Sequence, residues 1–148
     1  MDNKEESYYR FNLARKYLEE AERDFENKEI VDTVRKVQLA VENGMKAVIS
    51  CFSLPSWSHD PSDELEKVLE ENKKEIEKLK GNFLSRLRRG EELARELAPE
   101  HGRITYGEPL KRITPWELYD TSYAQEILQK SKEVIKSAEE FIREWFRE

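Results

Sequence analysis

Apolar residues recur at three- and four-residue intervals along most of this chain, the spacing that lines one face of an α-helix. Ala14, Tyr17, Leu18, Ala21 and Phe25 form one such stripe and predict a helix from Ser7 to Asn27, with Glu19, Glu20, Glu22 and Arg23 on its solvated side. Asn27-Lys28-Glu29 is a tight connection, which makes the next helix antiparallel to the first. That second helix, from Ile30 to Phe52, carries two adjacent stripes. Ile30, Val34, Val37, Val41, Gly44, Val48 and Cys51 lie on one, and Val31, Val34, Ala40, Ala47 and Phe52 on the other. Such a wide apolar surface implies a central helix with several neighbours.

Beyond Phe52 the segment SLPSWSHDPSDEL reads as a break and a restart, with Asp60 accepting from free amides and Pro61 at the first helical position. A third helix then presents Leu65, Val68, Leu69, Ile76 and Leu79, and ends at Gly81-Asn82. A fourth runs from Phe83 to Leu97 and is stopped by Pro99. The long piece from Pro99 to Asp120 reads as irregular, held against the bundle by Tyr106, Trp116 and Tyr119, with a capping box over Thr114 to Glu117. A last helix, capped by Ser122 with Gln125, extends to Phe146. The expected fold is all-α, an up-and-down bundle of four main helices plus the final one, in a single domain over residues 1–148.

Composition sharpens this picture in three ways. Charged residues make up 39% of the chain and only five glycines and five prolines occur, which fits helices with solvated outer faces; the Lys and Glu enrichment resembles hyperthermophile usage. The net charge of −6 argues against coating nucleic acid by charge alone, and no DNA sequence recognition is expected. Residues 80–112, with 8 basic against 5 acidic groups, form the only net-positive stretch. The lone Cys51 reads as a core hydrophobe in a reducing compartment, and no run of 18 apolar residues suggests a membrane span, so a cytoplasmic location is expected.

Within the apolar second helix, Gln38, Glu42 and Asn43 stand out, since burial tolerates them only with partners or at a groove. Gln38, Ala40, Glu42, Lys46 and Ala47 resemble the signature helix of the HEPN domains (higher eukaryote and prokaryote nucleotide-binding), a family of small helical proteins. That resemblance implies a partner or effector in a two-gene, toxin and antitoxin kind of module with a minimal nucleotidyltransferase, or a stand-alone relative that binds nucleotides. It also implies a homodimer, for which the aromatic surplus of Tyr8, Tyr9, Phe11 and Tyr17 offers surface.

HEPN ribonucleases carry an arginine followed four to six residues later by a histidine. Arg95 and His101 are separated by five residues, and Tyr106 follows. The resemblance makes Arg95 a phosphate grip and His101 the general acid or base of a metal-independent RNA cleavage. The plainer reading makes Arg95 a solvated helix residue and His101 a loop residue near a helix C-terminus. Arg103 and Tyr106 resemble a loop element of small HEPN proteins; they serve either as architecture, with the Tyr106 ring packed on the bundle, or with Gln38 and Glu42 as the lining of a nucleotide pocket. Metal chemistry draws no support from spacing, because His59 and His101 lie 42 positions apart, and no cofactor loop is present. His59 has no partner that the sequence identifies.

Overall fold

The computed structural model describes residues 2–147. Helix α1 (Asn3–Glu26) opens on Asp2, whose carboxylate accepts from the Glu5 amide at 2.8 Å. Lys28 turns the chain in the left-handed region at φ 61°, and α2 (Ile30–Ile49) returns antiparallel to α1. As the double stripe requires, α2 is central and touches α1 and α8 (Thr121–Trp145) along with α3 (Ser62–Glu71), α5 (Phe83–Leu97), α6 (Glu100–Tyr106) and α7 (Pro115–Leu118). Val34, Val37, Val41, Met45, Val48 and Ile49 are fully buried there. Each such side chain contributes about 1.5–3 kcal/mol by leaving water, so α2 supplies much of the driving force for folding.

Gly44 permits a close approach of α8. A Cβ at that position would lie 2.6 Å from Ile135 Cδ1 of α8, so α2 and α8 meet where a side chain is missing. The polar residues of α2 are satisfied within the helix or beside it. Thr33 Oγ1 donates to Glu29 O, Asn43 Nδ2 to Leu39 O and Ser50 Oγ to Lys46 O, each one turn back.

Three expectations need correction. The third helix is broken: α3 ends at Glu71, Asn72 adopts φ −114° and donates its side-chain amide to Val68 O, and the short α4 (Lys73–Glu77) follows. The Asn72 backbone amide and side-chain amide both donate to Val68 O, so the residue turns in on the preceding turn where α3 stops. The piece after Pro99 is largely helical and not irregular, because Pro99 both stops α5 and leads into α6 with its φ of −60°, after which come a 3-10 turn (Pro109–Lys111) and α7. Finally α8 is capped by Asp120, which accepts from the Tyr123 amide at 2.8 Å, instead of by Ser122 with Gln125. The capping box of Thr114 and Glu117 is present as read. Among the described residues no helix is long and apolar enough to cross a membrane.

Candidate functional site

Three polar side chains interrupt the apolar surface of α2 at successive turns: Gln38, Glu42 and Lys46, all buried. Four-residue spacing stacks them on one face. Gln38 Nε2 donates to Glu42 Oε1 at 3.0 Å, and Lys46 Nζ donates to Glu42 Oε2 at 3.1 Å. The buried carboxylate is thus neutralised by Lys46 and bonded on both oxygens, the condition under which an internal ion pair is tolerable. This row forms the floor of a site, and two histidines form its outer layer.

His59 comes from the connector before α3, and its Nδ1 lies 3.2 Å from Glu42 Oε1. His101 comes from the first turn of α6, and its Nδ1 lies 3.2 Å from Gln38 Oε1. Their rings stack with centroids 3.7 Å apart and planes within 18°. The hydrogen-bond roles follow from the floor upward. An ionised Glu42 only accepts, so Gln38 must turn its NH₂ toward it, which leaves Gln38 Oε1 facing His101. An amide oxygen and a carboxylate both demand a donor, so each imidazole carries its proton on Nδ1. Each neutral ring then has its lone pair on Nε2, the atom not engaged by α2.

Of the residues singled out in the sequence, Gln38, Glu42 and His101 come together here. The polar atoms of Gln38 and Glu42 bond to each other, to Lys46 and to the imidazoles. Arg95 has a different set of partners. Its guanidinium meets Glu91 Oε2 at 3.1 Å, Asp63 Oδ1 at 3.3 Å and Glu66 Oε2 at 3.4 Å, on the side of α5 that faces α3. Glu91 is buried and its other oxygen, Oε1, has no hydrogen-bond partner, so Arg95 also serves to satisfy this carboxylate.

Arg103 is engaged by two carboxylates. It bridges Glu100 Oε1 and Glu108 Oε1, each at 2.5 Å, while the Tyr119 hydroxyl donates to Glu100 Oε2. This clasp ties α6 to the segment leading into α8. Arg103 beside it holds the Glu108 carboxyl below its ordinary range, and burial, reinforced by Glu100, pushes the Tyr119 phenol well above its own. Tyr106 does not pack on the bundle: it is 73% exposed, and Trp116 is 77% exposed, so Tyr119 alone of the three aromatics anchors the segment.

Sequence reasoning missed His59 and the role of Lys46. Histidines 42 positions apart carry no spacing signal, since their meeting is a product of tertiary structure. Lys46 was findable, as the third member of a polar row at four-residue spacing on an otherwise apolar helix.

A family model described as the HEPN domain matches residues 8–144, from the first turns of α1 to the end of α8. The matched region includes the row on α2 and both histidines. No curated protein matches the chain. With nearly its whole length matched and an all-helical fold to go with it, the chain belongs to the HEPN domain family.

Proposed function

We propose that the chain is a ribonuclease of the HEPN family that cleaves RNA without a metal ion, with His101 transferring the proton at the scissile phosphodiester. The observation that supports it is the anchored imidazole: Gln38 Oε1 lies 3.2 Å from His101 Nδ1 and accepts its N–H, so the ring offers Nε2 as a base from an exposed position. RNA brings its own nucleophile. Nε2 removes the proton of the 2′-hydroxyl, the 2′-oxygen bonds to phosphorus and the bond from phosphorus to the 5′-oxygen breaks. A proton returns to the 5′-oxygen as it leaves, and the products are a 2′,3′-cyclic phosphate and a 5′-hydroxyl end.

Arg95 is the phosphate grip in this reading. Two of its three partners, Asp63 and Glu66, are exposed carboxylates whose ion pairs are weak, so a phosphate can replace them at small cost. The test is cleavage of RNA by purified protein in excess chelator. Wild type is expected to leave cyclic phosphate ends, and His101→Ala to be slower by about 100-fold or more, the usual yield of a positioned acid or base. Full activity in His101→Ala would remove this residue from the mechanism.

A second reading is a binding role in a two-gene module. Tyr106 at the end of α6, and Leu110 and Trp116 in the stretch that leads to α8, are exposed, Leu110 fully so. Large exposed apolar side chains in one segment suit a protein partner, here a minimal nucleotidyltransferase or a second copy of the chain. Co-elution with such a partner, lost in Trp116→Glu, supports this reading; a nucleotide-holding form of it requires millimolar nucleotide to raise the melting temperature.

A further inference from the structure

We propose that Glu42, His59 and His101 form a binding site for a divalent transition metal of the zinc class. One ligand atom from each of the three lies within 4.8 Å of the other two, and the set combines two imidazole nitrogens with one carboxylate oxygen. Two histidines, one acidic residue and an open fourth position make the donor set of a tetrahedral zinc site in which a water or substrate completes the shell.

Geometry and chemistry both favour this assignment. The 3.2 Å hydrogen bond between His59 Nδ1 and Glu42 Oε1 already brings two donors to within a few tenths of an ångström of the roughly 3.4 Å that separates tetrahedral ligands each about 2.1 Å from one ion. Glu42 is already oriented, since Lys46 holds Oε2 and Gln38 supports Oε1, so only one oxygen has to turn to the metal. The stacked rings must open, because two parallel planes cannot both contain the same ion. His59 permits this: its side chain is 55% exposed and hangs from an irregular connector, so it can swing without disturbing the core. Each imidazole that binds through Nδ1 keeps its single proton by moving it to Nε2, so a neutral ring need release none. Selectivity follows from Lys46. Its ammonium beside Glu42 opposes ions held by charge alone, such as magnesium or calcium, and leaves the advantage with ions that bond well to imidazole.

The site does not depend on RNA cleavage by this chain, but it uses the same imidazole. Metal on His101 removes the base invoked above, so zinc and cleavage are mutually exclusive states. The experiment is equilibrium dialysis of purified, metal-stripped protein against zinc, with cobalt(II) absorption reporting the coordination. Wild type is expected to bind one ion per chain, with the visible bands of a tetrahedral site containing nitrogen and oxygen donors and a melting temperature that rises with zinc. His59→Ala and His101→Ala are expected to weaken binding at least tenfold while circular dichroism stays unchanged, and magnesium is expected to give no shift. Absence of stoichiometric binding, or binding that His59→Ala leaves intact, overturns the assignment. Cleavage in chelator is scored separately, so failure of the ribonuclease reading leaves this result standing, and the reverse also holds.

Discussion

At the scale of single residues, burial decides chemistry. Cys51 sits behind α1, 3.7 Å from the Ser7 hydroxyl, and burial pushes its thiol up to about 12. The raised value means that almost no thiolate exists below that pH, and the thiolate is the reactive form. A disulfide reagent at pH 8 is therefore expected to label the chain only after denaturant is added; rapid labelling of native protein would contradict the burial. Gly107 is constrained by its backbone. With φ 65° and a Cβ position only 2.1 Å from Ile113 O, it closes the pairing of Glu108 with Ile113. Gly107→Ala is expected to cost at least about 1–3 kcal/mol, the usual penalty of a disfavoured backbone conformation, measured as a shift in denaturant midpoint. Arg95 and His101 stood out in the sequence by their spacing, and Gln38 and Glu42 by their polarity on an apolar helix. What the residues alone could not reveal was the division of labour: Glu42 and Gln38 set imidazole tautomers, while Arg103 closes a clasp around Glu100.

At the scale of elements, the helices with long stripes were legible and the short ones were not. The stripes of α2, α5 and α8 span enough turns for a 3.6-residue period to emerge, and their bounds differ from the reading by a few residues at most. The break at Asn72 lies in a charged tract with no glycine or proline to mark it, and α6 is too short to display a period. The capping box on α7 was legible because its residues are local. Its electrostatics carry a consequence for acid stability. Bonds from the Thr114 backbone and hydroxyl hold the Glu117 carboxyl below its ordinary value of 4.5. A lowered folded value contributes stability that is present above the unfolded value and is lost as pH falls through the folded one. Glu117→Ala is therefore expected to have a lower denaturant midpoint than wild type at pH 7, and the two curves to converge below the depressed value. A gap that persists undiminished at pH 2 would contradict the capping role.

At the scale of the whole molecule, a bundle built around one apolar helix carries a polar row through its centre and caps that row with two histidines from distant segments. Their meeting was invisible in the sequence, because it depends on how the connector before α3 and the turn after α5 pack over α2. The row costs stability unless it is complete, and it presents a hydrogen-bond acceptor to each imidazole. Lys46→Met is expected to destabilise the fold by about 3–5 kcal/mol, since it leaves the buried Glu42 carboxylate without its cation. Glu42→Gln with Lys46→Met in the same chain is expected to recover part of that loss, a coupling readable in a double-mutant cycle.

The most direct measurement is the nitrogen-15 NMR spectrum of the two histidine rings at neutral pH in chelator. Both His59 and His101 are expected as the Nδ1–H tautomer, with the His101 pattern collapsing toward the free-imidazole mixture in Gln38→Leu. An Nε2–H tautomer at His101 in the wild-type protein would contradict the support by α2 and leave no base at the surface of this site.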